Sequence, residues 1–134
     1  MTLADVRDYI ASLNITEPQK VYMGKLDAKP DKTIGVYHSK HQHTYKTAIG
    51  GASLESYGTK YVTLLVHWNK SPRDTEKAAT ALFEALTATR EAQINNDETI
   101  KFIQPLYEIQ DVGTDDSGIY EMVIEAAFIY AKGE

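Results

Sequence analysis

The chain has 134 residues, of which 43% are hydrophobic and 25% charged, a length and balance that fit one soluble domain over 1–134 and imply no disorder. It contains no cysteine, which excludes disulfides, thiolate nucleophiles, iron–sulfur clusters and cysteine-ligated zinc. A net charge of −5 disfavours broad contact with phosphate backbones, because such binding rests on clustered Lys and Arg.

No apolar run approaches the ~20 residues that a bilayer requires, so no membrane contact is expected. The opening "MTLADVRDYI" carries Asp5 and lacks a basic stretch ahead of an apolar one, so a signal peptide is not expected and synthesis and use in the cytoplasm are. Leu3, Val6, Ile10 and Leu13 recur at helical spacing behind a Thr2/Asp5 capping pair, predicting a short amphipathic helix ended by Asn14 and Pro18. Lys20–Leu26 and Thr33–His38 read as strands, and the "DAKPDK" between them predicts a hairpin. From Ser39 to Gly58 no period is sustained, which reads as a long, mobile loop or an extended flexible hairpin.

Lys60–Trp68 is the clearest strand, with Val62, Leu64, Val66 and Trp68 on one face and Tyr61, Thr63, Leu65 and His67 on the other. Ser71, Pro72 and Asp74 then supply a cap, a first-turn proline and a first-turn acid for a helix to about Ala92, with Ala78, Leu82, Ala85 and Leu86 inward. "NND" at 95–97 breaks the chain. Ile100–Ile109 reads as a strand whose Pro105 demands an edge or a bulge, and "DVGTDDSG" as a turn. The last strand has Tyr120, Met122, Ile124, Ala126, Phe128 and Tyr130 on one unbroken apolar face. Its other face carries Glu121, Val123, Glu125, Ala127 and Ile129, which suits solvent or a neighbouring subunit. The expected fold is α+β: a mostly antiparallel twisted sheet of about five strands with two helices packed on it.

The stretch "YHSKHQHTYK" (37–46) gathers His38, His41 and His43 with Lys40, Tyr45 and Lys46. Three imidazoles can make an open zinc site, so a histidine-dependent metal protein or hydrolase is the alternative reading. Spacing opposes it: on a strand His41 and His43 share a face that His38 does not, and on a helix His43 departs. No Asp or Glu lies between Asp31 and Glu55 to orient an imidazole. The pattern favours an exposed, solvated polar loop, and these residues with Tyr57 are the candidate contacts to a partner, an acidic one or phosphate, should that loop meet one. "GASLE" (51–55) lacks the final glycine and the flanking elements of a nucleophile elbow, so Ser53 reads as a loop serine. Asp111, Asp115 and Asp116 miss the calcium-loop register. Glu76 and Glu84 fit a solvated helix face. No catalytic constellation and no cofactor site is expected, whereas nine tyrosines suit surfaces that meet other proteins.

"YVTLLVHWNKSPRDTEKAATALFEAL" followed by "IKFIQPLYEIQDVGTDDSGIYEMVIEAAFIYA" resembles the bacteriophage minor capsid proteins of the tail-terminator (tail-completion, head–tail joining) type from long-tailed phages. Shared are a strand feeding an alanine-rich helix and a G-[TS]-D-x-x-G turn, here Gly113, Thr114, Asp115 and Gly118, before a long final strand. The likeness spans nearly the whole chain and is one of pattern and element order. It implies a non-enzymatic virion protein, assembled in the host bacterial cytoplasm, whose copies form a ring, typically hexameric. That ring would meet the tail tube protein below and the head–tail connector above, with DNA only passing through. Many relatives place an arginine near the end of the central strand where this chain has His67, which leaves any ring contact made by that arginine without its counterpart.

Overall fold

The computed structural model describes residues 1–24, 30–40 and 57–132. Helix α1 (Leu3–Ser12) begins where Thr2 and Asp5 exchange hydrogen bonds: Thr2 Oγ1 accepts from the Asp5 N–H at 3.1 Å and Asp5 Oδ2 accepts from the Thr2 N–H at 2.9 Å. Val6, Ile10 and Ala11 form its buried stripe. Asn14, at a φ of 59°, turns the chain out of the helix, a conformation asparagine tolerates better than most residues. Arg7 ties the helix to the next two elements, its Nε donating to the Val21 carbonyl at 2.8 Å and its Nη2 to that of Pro18 in a single 3₁₀ turn (Pro18–Lys20).

Strand β1 (Val21–Met23) runs parallel to β2 (Thr33–His38), with Val21 opposite Ile34 and Met23 opposite Val36. The expected hairpin is therefore incorrect. Nine positions of sequence separate Met23 from Thr33, more than the two to five of a tight hairpin, and hydrophobic period carries no information on strand direction. Gly24, at a φ of 81°, ends β1 while its N–H donates to Val36 O at 2.8 Å.

Strand β3 (Tyr57–His67) pairs antiparallel with β2 and with β7 (Tyr120–Lys132). It starts three residues earlier than expected, so Tyr57 belongs to the sheet. Helix α2 (Pro72–Ala88) opens on Ser71, whose Oγ accepts from the Asp74 N–H at 3.2 Å. It stops at Ala88 and not near Ala92. Thr89 is extended (ψ 128°) and buried, its Oγ1 donating to Ala85 O at 2.9 Å and lying 2.7 Å from the Tyr9 hydroxyl. The residues after it become strand β4 (Arg90–Gln93), antiparallel to β5 (Glu98–Pro105).

Pro105 is the last residue of β5 and lies beyond the reach of β4, which pairs only as far as Phe102, so its missing N–H faces an edge as expected. A bulge falls between Ile100 and Phe102. The first half of the expected turn is instead strand β6 (Gln110–Thr114), paired with β7 and bulged between Asp111 and Gly113. Among the described residues the sheet thus has seven strands where about five were expected, in the order β1-β2-β3-β7-β5-β4 with β6 beside β7 past the end of β5.

Both helices cover one face. Val6 and Ile10 of α1 and Ala79, Leu82 and Leu86 of α2 join Ile34, Val36, Val62, Leu64, Val66, Ile100, Ile124, Ala126 and Phe128 in one buried cluster. Ala78 and Ala79 present little side chain, which lets α2 approach the sheet closely. The result is a single α+β domain. No helix among the described residues is long and apolar enough to cross a membrane.

Candidate functional site

Alternation sends every second side chain of β3 and β7 to the face that, among the described residues, bears no helix. Register aligns those side chains in rows across the sheet. Tyr37, Thr63 and Glu125 form one row, Leu65 and Val123 the next, His67 and Glu121 a third, and at the far end Ile129 lies beside Phe102. Glu121, Val123, Glu125 and Ile129, picked out in the sequence as one strand face, do share this surface.

Polar groups on this face are held by partners. Thr63 Oγ1 donates to Glu125 Oε1 at 2.9 Å, which helps a carboxylate only 7% exposed to persist there. The His67 side chain is fully buried, with Nδ1 2.8 Å from Glu121 Oε2 and Nε2 3.5 Å from Asp115 Oδ2. Asp115 is itself fixed, because its Oδ1 accepts from the N–H groups of Ser117 and Ile119 at 2.8 and 3.0 Å in the β6–β7 turn. Tyr37 lies over Gly35, where any β-carbon would come within 2.7 Å of the ring. Burial pushes the Tyr37 phenol above its ordinary range, and the negative charge of Glu121 adds to the effect.

Apolar groups cluster at the other end. Tyr57 is 59% and Phe102 40% exposed, and with Ile129 they line a groove of about 400 Å³. Lys101 and Glu91, 2.7 Å apart, stand on its rim. The hydrogen bond to Glu91 holds the Lys101 ammonium's titration above its usual range. Exposed aromatic groups inside a charged rim have the chemistry of a protein contact, since they offer apolar area to bury.

The loop residues fare differently. His38 ends β2, is exposed, and shares the parity of Val62 and Lys60, opposite to that of Tyr57. Its Nδ1 lies 3.1 Å from Lys60 Nζ, and since an ammonium only donates, that nitrogen accepts. Lys40 is exposed. His41, His43, Tyr45, Lys46 and Ser53 lie outside the described residues. Among the described residues no group of three or more His, Asp or Glu is arranged to hold a metal ion. What the sequence did not reveal is the union of His67 with Glu121 and Asp115, since the first pair is separated by 54 positions.

No curated protein matches the chain. A family model described as bacteriophage tail terminator protein matches residues 9–132, a span that runs from within α1 to the end of β7 and takes in every described strand. The chain therefore belongs to the bacteriophage tail terminator family and is a structural protein of the phage tail.

Proposed function

We propose that this protein acts by assembly, its copies closing into a ring at the head–tail junction of a long-tailed phage. The ring, hexameric by family resemblance, terminates the tail tube and joins it to the head connector, and DNA passes through it. The carrying observation is the sheet face that no described helix covers, on which Tyr57 and Phe102 remain exposed around an apolar groove. A domain of this size normally covers both faces of its sheet or dresses the open one in polar groups. Here Leu65, Val123 and Ile129 are only half-buried between the two ends of that face. A neighbouring subunit that covers Glu121, Val123, Glu125 and Ile129 would complete it.

The remaining surfaces meet the tube and the connector, and the segment with His38, Lys40, His41, His43, Tyr45 and Lys46 supplies basic contacts in an otherwise acidic chain. The net charge of −5 suits a channel that lets DNA pass without holding it. On this reading the protein is a non-enzymatic virion component assembled in the host cytoplasm. Light scattering and negative-stain imaging, alone and with purified tail tubes, test it. Rings with a central hole, free or on tube ends, are expected; a strict monomer at high concentration that also ignores tail tubes would refute the proposal.

A further inference from the structure

We propose that His67 is held as the imidazolium between Asp115 and Glu121, a proton-dependent clamp that fixes the β6–β7 turn against the end of β3. The argument is one of donors and acceptors. The imidazole is fully buried, and each ring nitrogen faces a carboxylate oxygen, at 2.8 Å for Nδ1 and 3.5 Å for Nε2. An ionised carboxylate only accepts, and a neutral imidazole has one donor and one acceptor nitrogen. In the neutral ring one lone pair would point at a negative oxygen inside the protein. The doubly protonated ring satisfies both sides.

Asp115 makes the ionised form the natural one on its side. Its Oδ1 accepts two backbone N–H groups, from Ser117 and Ile119, and its Oδ2 lies 3.5 Å from His67 Nε2. From β7 the ionisable group facing the ring is Glu121, directly opposite in the ladder. From β2 the paired residue is Thr33, which does not titrate, and Tyr37 adds a phenol that feels the Glu121 charge. The ring thus joins two carboxylates brought from the turn and from the last strand. Removing its proton leaves one contact and a repulsion, so the turn loosens as pH rises through the titration of the ring. The clamp belongs to the single subunit and stands whether or not a ring assembles.

Nitrogen-15 spectroscopy of the full-length protein tests this. The variant His38→Gln/His41→Gln/His43→Gln leaves His67 as the sole imidazole of four, which assigns its signals without altering the clamp. At neutral pH both ring nitrogens are expected to be protonated. Hydrogen-exchange protection of the Ser117 and Ile119 amides should fall about tenfold as the ring loses its proton, the scale of one charge-assisted hydrogen bond. In His67→Gln, which keeps one donor, protection should be low at every pH. A singly protonated ring at neutral pH overturns the proposal, as does protection in the wild-type turn that does not respond to the ring's titration. If His67→Gln does not fold, the wild-type titration alone decides.

Discussion

Replacing Tyr57 and Phe102 together by serine removes the two large exposed hydrophobic side chains at the groove on the face that no described helix covers. Exposures of 59% and 40% leave about 120 Å² and about 80 Å² of these side chains open, taking roughly 200 Å² for a whole aromatic group. At about 25 cal/mol per Å² that area is worth about 3 and about 2 kcal/mol when covered. Their sum of about 5 kcal/mol corresponds to a several-thousandfold loss of affinity at about 1.4 kcal/mol per tenfold. Ordering costs at a contact reduce this, so at least about a hundredfold weaker self-association is expected. The isolated subunit should be little affected, since exposed substitutions usually change stability by no more than about 0.5 kcal/mol. Sedimentation velocity over a concentration series reads the association, and a thermal melt of the dilute protein reads the fold. An unchanged association curve with an unchanged melt would refute the assignment of this face, whatever surface then proved to join the copies.

The fold implies three further outcomes. Thr2→Ala removes one half of the capping box of α1 and should cost about 1 kcal/mol in urea denaturation. Phe128→Ala empties a fully buried site in the central strand and should cost about 3–5 kcal/mol; a smaller loss would mean that the helices collapse onto the gap. The third outcome concerns acid. At Glu98 burial pushes the carboxyl up, but hydrogen bonds from the Met1 ammonium and the Asn95 amide outweigh it and leave the group below its ordinary range. At Asp5 the Thr2 backbone N–H is the largest cause of a lowered value. The unfolded chain therefore takes up these protons first, so the stabilisation is present at neutral pH and lost as pH falls through the folded-state titrations. Melting temperature against pH should fall less steeply in acid for Glu98→Gln than for the wild type; parallel curves would remove Glu98 from the explanation.

Local signals carried the reading of the sequence well. Thr2 with Asp5, Ser71 with Pro72 and Asp74, and the alternation of Val62, Leu64 and Val66 each act within one element, and each lies where the pattern put it. Pro105 announced an edge for the same reason, because a missing N–H is a property of the residue itself. The failures are of three kinds. Strands β4 and β6 expose nearly all their side chains, so no apolar period marks them, and only pairing with β5 and β7 makes them strands. The parallel run of β1 beside β2 depends on the course of the chain between them. The clamp around His67 joins residues far apart in sequence, and a lone histidine on a strand gives no hint of its partners. Of the site, the face of Glu121, Val123, Glu125 and Ile129 was legible from alternation, whereas the open groove at Phe102 required the bulge in β5.

The borders of the sheet bear on how such a subunit survives before it is used. Among the described residues, β1 offers only three residues of backbone and Arg7 already occupies its Val21 carbonyl. Strand β4 is twisted at Glu91, whose φ is 53°, and β6 is broken by its bulge and by Gly113 at a φ of 88°. None presents the straight row of unsatisfied backbone groups that recruits a foreign strand. On the assembly proposed above, edges of this kind favour contacts through side chains, whose geometry can stop at a fixed number, over amyloid-like stacking, whose growth has no end point.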